Sequence, residues 1–295
     1  MSAWTSGVAS MLRAIVDALA AANPLDALLA IILYAVSVPL AAFRWQAVLR
    51  GLHVQAPLGR LMLTNLAAIC VNNLTPSARL GGEACRVLVV VRSRMTSTTT
   101  AVLSIVYERL SEIPAVASLV IVALVMAGRG LPRATPVGVT AAVVLVAVLA
   151  AVALRVAPMI RKRLQEVATT RVAPAVFGVA AAMSVAVWGL DVMRLRAAAS
   201  AVGAPLTVAQ AITLSAITVA AGLVPSIGGL GVIEGSLVGG LVAFGVRPAD
   251  AAAITAIERA ISYGLASVAG AGALSALGGR ALWRAARKPA VEAVP

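Results

Sequence analysis

Ten charged side chains sit inside or beside stretches that are otherwise apolar: Arg79, Glu83, Arg86, Glu108, Arg109, Glu112, Asp191, Glu234, Glu258 and Arg259. A charge at the centre of an apolar helix costs about 2.5–3.5 kcal/mol on insertion scales, so such residues pair, line a wet cavity or mark a substrate path. Guanidinium groups suit phosphate oxygens. Carboxylates order those guanidiniums or exchange protons. The plainer role is structural, with carboxylates of one helix pairing with arginines of another. Adjacent helical residues point about 100° apart, so Glu108 does not pair well with Arg109. Glu83 and Glu234 are the expected partners of Arg109 and Arg259, within or across the halves of the chain.

Two broken segments carry the sharper signal. The first runs Asn72-Asn73-Leu-Thr-Pro-Ser77-Ala-Arg79-Leu-Gly-Gly-Glu83-Ala-Cys-Arg86. A break and a glycine pair precede a new helix, whose start exposes backbone N–H groups and the positive end of a dipole. Arg79 and Arg86 add full charges suited to an anionic headgroup. The second runs Pro225-Ser226-Ile-Gly228-Gly229-Leu-Gly-Val-Ile-Glu234-Gly. It offers backbone donors without an arginine, and its glycines serve close packing equally well. Gly235 and Gly239 have the small-xxx-small spacing of packed membrane helices.

The elements that hold these residues are apolar helices. The chain of 295 residues is 61% apolar and 12% charged, against about 25% charged in a soluble domain. Apolar runs of roughly 20 residues, enough to cross ~30 Å of hydrocarbon, recur from end to end. Alternating strands are missing, which excludes a β-barrel. The net charge of +13 does not indicate nucleic acid, because the basic residues collect at helix ends without a stacking series of aromatics. Cys70 and Cys85 read as inert buried thiols, and the lone His53 leaves no metal set. No nucleotide-binding loop and no Ser–His–Asp arrangement is seen, so neither an enzyme nor a cofactor is expected. Ser37, Thr64, Thr213, Ser215 and Thr218 are expected to bond back to their own helices.

An internal repeat organises the chain. Ala56-Pro57-Leu58 recurs at Ala204-Pro205-Leu206, Pro76-Ser77 at Pro225-Ser226, Glu83 at Glu234, and Glu108-Arg109 at Glu258-Arg259. The offsets are 148, 149, 151 and 150 residues. Such repeats are the first thing to seek in a transporter. Each unit predicts a spanning helix (25–48, 172–196), a broken hairpin (58–94, 206–245) and a second spanning helix (98–127, 250–278). Each hairpin is split by Pro and Gly. The boundaries are an amphipathic segment at 1–22, repeat 1 at 23–136, a linking helix and loop at 137–171, repeat 2 at 172–279 and a basic tail at 280–295. The predicted fold class is thus an all-α polytopic membrane protein of two inverted repeats. Parity inverts the units, so the hairpins enter from opposite faces and their tips meet near the midplane. Irregular backbone there must be buried in protein or line a cavity.

Basic residues give the orientation. Arg44, Arg50, Arg60, Arg92, Arg94, Arg155, Arg161, Lys162, Arg163, Arg171, Arg280, Arg284, Arg287 and Lys288 collect on one side. Arg13, Arg129, Arg133, Arg194, Arg196 and Arg247 collect on the other. Fourteen against six places the first side, and the C-terminus, in the cytoplasm of a cell membrane. Residues 3–22 either lie flat, as Arg13 and Asp17 favour, or span.

The tip motifs, together with Tyr-Glu108-Arg109 and Phe43-Arg44-Trp45, resemble the lysylphosphatidylglycerol synthase transmembrane-region family from about residue 23 to 277. That family includes the flippase half of the multiple peptide resistance factor. The aminoacyl-transferase domain of that factor is missing, so synthesis of lysylphosphatidylglycerol is not expected. The N-terminus is shorter than usual for the family. The resemblance implies movement of a phospholipid or another lipid-linked headgroup between leaflets. Arg79, Arg86, Arg109 and Arg259 would hold the phosphate, with Asn72, Asn73, Ser77, Ser226, Gly228 and Gly229 at the tips. Glu83, Glu108, Glu234 and Glu258 would order the arginines or exchange protons. The expected partner is an anionic membrane phospholipid, not nucleic acid; a homo-oligomer is left open. The alternatives are an ion-coupled carrier of a small soluble anion and a membrane partner of a lipid-modifying enzyme.

Overall fold

A computed structural model describes residues 2–76, 80–128, 172–222 and 226–278. Ser77, Arg79, Pro225, the linking helix and the basic tail lie outside the described residues. So do most of the basic residues on which the orientation rests.

Ten α-helices and no strand occur among the described residues. They are α1 (Ser2–Ala20), α2 (Pro24–Gly51), α3 (Leu58–Leu74), α4 (Leu80–Arg92), α5 (Thr98–Gly128), α6 (Pro174–Ala201), α7 (Val208–Ala221), α8 (Val232–Ala243), α9 (Pro248–Arg259) and α10 (Ala266–Ala276). Asn23 caps α2 by accepting the Leu25 N–H at 2.9 Å. Pro24 at the first helical position needs no partner for its nitrogen. Helices α2 and α6 are each 28 residues long and apolar enough to cross a bilayer by length and composition. The four hairpin arms, α3, α4, α7 and α8, have 17, 13, 14 and 12 residues. At about 1.5 Å per residue all but α3 fall well short of a full span.

The repeat is visible bond by bond. Helix α2 ends where His53 turns to φ 60° and the Val54 N–H donates to Leu49 O. Helix α6 ends where Gly203 turns to φ 76° and the Ala204 N–H donates to Ala199 O. These are αL helix ends that satisfy the last carbonyls. Gln46 then reaches forward to donate to Ala56 O at 2.8 Å, and Arg196, 150 residues on, donates to Leu206 O at 3.0 Å. Each side chain ties a long helix to the start of the hairpin that follows it.

Packing between the units is reciprocal. Helices α2 and α6 pack on each other; α3 of the first unit packs on α10 of the second, and α7 of the second on α5 of the first. The interior mixes small side chains with large ones: Ala42, Ala180, Leu49 and Leu61 surround the buried Trp45, and Ala198, Leu214, Leu241 and Ile254 form a second cluster. Outward faces carry Leu25, Leu28, Ile32, Val36, Val179 and Val185. Large apolar residues on the outward faces, beside small ones at helix contacts, match helix packing in lipid.

Glycine marks the tightest approach. A Cβ on Gly270 of α10 would collide with the Leu66 carbonyl oxygen and lie 2.6 Å from Cys70 Cβ on α3. Backbone cannot yield there as a flexible side chain would. Gly270→Ala is therefore expected to cost about 1–3 kcal/mol by overpacking, read as a lower melting temperature in detergent. Gly272, with nothing within 4 Å of its Cβ position, is the neutral control.

The second closing helix departs from the expected continuous span. Between α9 and α10 it widens into a π-helical turn at Ala260–Leu265. Pro114 stands inside α5 at the position equivalent to Gly264, 150 residues earlier. Helix α5 nevertheless runs unbroken through Pro114, so only the second closing helix is interrupted just after its Glu-Arg pair. Such turns recur at functional sites.

Candidate functional site: an ion-pair cavity between the units

Helices from both units surround a cavity of about 400 Å³. Its walls carry five arginines, Arg44, Arg86, Arg109, Arg194 and Arg259, and five carboxylates, Glu83, Glu108, Glu112, Asp191 and Glu258.

In the first unit the charges close into a ring. Arg44 on α2 holds Glu108 on α5 at 2.8 Å and Glu112 at 2.6 Å. Glu108 also binds Arg86 of α4, and Arg86 binds Glu83 at 3.0 Å. Glu83 binds Arg109 of α5, and Arg109 returns to Glu112 at 2.6 Å. Six side chains from three helices alternate in sign, each with two opposite neighbours. Spacing on α5 makes this work: Glu108 and Glu112 are four residues apart on one face, where both reach Arg44. Glu108 is 1% exposed. Arg86 stacks on the Trp45 ring at 4.0 Å, and the Trp45 N–H is held by Ser104 Oγ at 3.0 Å. The Arg86 Nε–H is buried without a hydrogen-bond partner among the described residues.

The second unit holds the equivalent groups in two open pieces. Arg194 on α6 binds Glu258 of α9 and Asp191, both at 2.5 Å. Arg259 binds Glu234 of α8 at 2.6 Å and donates to Gly228 O at 2.8 Å. Arg44–Glu108 and Arg194–Glu258 are the same pair, 150 residues apart. Each of these arginines also crosses to the other unit. Arg44 donates to Ser184 Oγ at 3.1 Å, and Arg194 lies over the Tyr34 ring at 5.4 Å. Ser184 and Tyr34 are themselves 150 residues apart. The ring stays open in the second unit because Leu237 stands where Arg86 would, and Ser262 where Glu112 would.

The structure pairs Glu83 with Arg109 and Glu234 with Arg259, each within its own unit. It corrects three other sequence expectations. Arg44 and Arg194 are not flanking charges; both are buried, which leaves thirteen basic residues against five on the two sides. The helix starts are not free donors throughout. Asn72 Oδ1 accepts the Gly82 N–H at 2.6 Å, and Glu234 accepts the Gly231 N–H at 2.6 Å. Gly235 and Gly239 do not make the close packing either, since nothing lies within 4 Å of their Cβ positions; Gly240 admits Leu214 instead.

The tips meet across the units. Asn73 donates to Ser267 Oγ at 2.9 Å, and the Tyr263 hydroxyl donates to Asn73 O at 3.1 Å. Gly228, at φ 58°, has Asn73 O 2.7 Å from its Cβ position and the Tyr263 ring closer still. Its role there is close approach. Gly229 and Ser226 also line the cavity. Ser37, Thr64, Thr213 and Thr218 bond back to Tyr34, Arg60, Ala209 and Ser215 carbonyls.

Sequence reasoning missed Arg44 and Arg194 as site residues and gave no role to Glu112 or Asp191. The repeat offset itself would have found the two arginines.

Comparison with known proteins places the chain among membrane proteins. A UPF0104 membrane protein of Methanothermobacter thermautotrophicus is 26% identical over 89% of this chain and 88% of its own length. A UPF0104 membrane protein of Pyrococcus horikoshii is 38% identical over 22% of this chain and 20% of its own. The pattern of the family described as the lysylphosphatidylglycerol synthase TM region matches residues 3–270, taking in α1 and both units. The chain is an all-helical membrane protein and belongs to the lysylphosphatidylglycerol synthase transmembrane-region family.

Proposed function

We propose that the protein carries a phospholipid headgroup between leaflets by alternating access, without covalent chemistry of its own. The observation that carries this reading is the charged cavity between the two units. Buried arginines at that depth are expensive and mark a substrate path by default. They suit phosphate oxygens, while the acyl tails remain in lipid against the apolar outer faces.

Reciprocal packing supports inverted units. A two-fold axis in the membrane plane would exchange α3–α10 with α7–α5 and turn one hairpin over relative to the other. Rocking one unit against the other would then open the cavity to one face at a time. The tip contacts at Asn73, Tyr263 and Ser267 would part as it does. Arg86, Arg109 and Arg259 would face the phosphate, with Glu83, Glu108, Glu234 and Glu258 holding the arginines between cycles. The site lies in the cell membrane, with the C-terminus assigned to the cytoplasm.

Leaflet exchange in proteoliposomes tests the reading. Fluorescent phosphatidylglycerol is expected to exchange faster than in empty liposomes. No exchange from folded protein, with and without an imposed proton gradient, would reject it in favour of a soluble anion or a partner-dependent role.

A further inference from the structure

The ring of six charges is neutral, with three arginines against three carboxylates. Its members are not equally free. The Arg109 side chain is 45% exposed and opens into the cavity; the other five are 20% exposed or less. Arg44 is further held by Ser184, and Arg86 by the Trp45 ring. Among the described residues Arg109 has no such second anchor beyond Glu83 and Glu112. If it swings to a phosphate, Glu83 keeps Arg86 and Glu112 keeps Arg44. No buried carboxylate is stranded.

The ring that remains is a chain, Glu83–Arg86–Glu108–Arg44–Glu112, with a carboxylate at each end and a net charge of −1. The second unit supplies no compensation. Its Arg194 and Arg259 already face Asp191, Glu258 and Glu234. Tyr34, the other titratable group against Arg194, is neutral when protonated. Burying an uncompensated charge costs several kcal/mol.

Resting on the headgroup reading above, we propose that the ring admits a phosphate at Arg109 only together with one positive charge, which takes the place of Arg109 between Glu83 and Glu112. The charge has two sources. A headgroup such as phosphoethanolamine brings its own ammonium. A headgroup such as phosphoglycerol has none, so a proton from water settles on Glu112 or Glu83. The protein thus distinguishes headgroups by the cation they require.

Calorimetry on the purified full chain in detergent tests this, with short-chain phosphatidylglycerol and phosphatidylethanolamine as probes. Repeating each titration in buffers of different ionisation enthalpy counts protons taken up. Phosphatidylglycerol is expected to bind with one proton, and more weakly as pH rises; phosphatidylethanolamine binds with none. Glu112→Gln makes the ring positive in advance. It is expected to bind phosphatidylglycerol about tenfold more tightly and without proton uptake. Glu83→Gln carries the same expectation and replaces it if that variant does not fold. Phosphatidylglycerol binding to wild type without proton uptake, or unchanged uptake in both variants, overturns the proposal alone. Failure of both lipids to bind the folded protein overturns the headgroup reading with it.

Discussion

Glu108→Ala is expected to destabilise the protein more than any other single change in the cavity, by about 3–5 kcal/mol. Glu108 is 1% exposed and joins α2, α4 and α5 through Arg44 and Arg86. Arg44 meets it with both Nε and Nη2, at 3.1 and 2.8 Å. Removing the carboxylate leaves two buried guanidiniums each short of a partner, next to a void. The loss should be visible as a lower melting temperature and less folded protein in the membrane fraction. Glu258→Ala, which strips Arg194 in the other unit, should behave in the same way, though Asp191 retains that arginine. Wild-type stability in Glu108→Ala would mean that the ring does not hold the three helices together.

Arg109→Ala should do the reverse, losing transport while keeping the fold. Its two carboxylates each retain another arginine, and a proton on Glu83 or Glu112 would restore the ring's neutrality, so the fold should be kept at neutral pH and lose stability as pH rises. A charge-assisted hydrogen bond to the moving phosphate is worth about 1.5–3 kcal/mol, so leaflet exchange should fall roughly ten- to a hundredfold. Arg109→Lys should recover part of the rate, because the charge remains and the fork geometry does not. Unfolding of Arg109→Ala would move Arg109 from the substrate path to the scaffold. Unchanged exchange in the folded variant would remove it from the path altogether.

Much of this arrangement is legible along the chain. Helices, breaks and the repeat follow from apolar length, Pro-Gly interruptions and an offset near 150. The partners of Arg109 and Arg259 follow because Glu108 points away from its neighbour. Arg44 is different. It closes an apolar run and stands before Arg50, so local reading treats it as a flanking charge. In fact α2 continues to Gly51, which places Arg44 nearly two turns inside the helix. The ring was out of reach for a related reason. Pairwise reasoning assigns one partner to each charge, whereas closure needs α2, α4 and α5 to converge, and convergence is tertiary. The π turn at Ala260–Leu265 has no local code beyond Gly264 opposite Pro114.

The central claim is that transport requires the units to move apart at their tips. Asn73 and Ser267 touch across that junction through side chains alone. The measurement is leaflet exchange by an Asn73→Cys/Ser267→Cys protein, with Cys70 and Cys85 replaced by alanine, before and after bridging by a short thiol-reactive linker. Exchange should stop when the bridge forms and return when a cleavable linker is reduced, which excludes misfolding as the cause. Exchange that continues at full rate across the closed bridge would contradict alternating access between the two units.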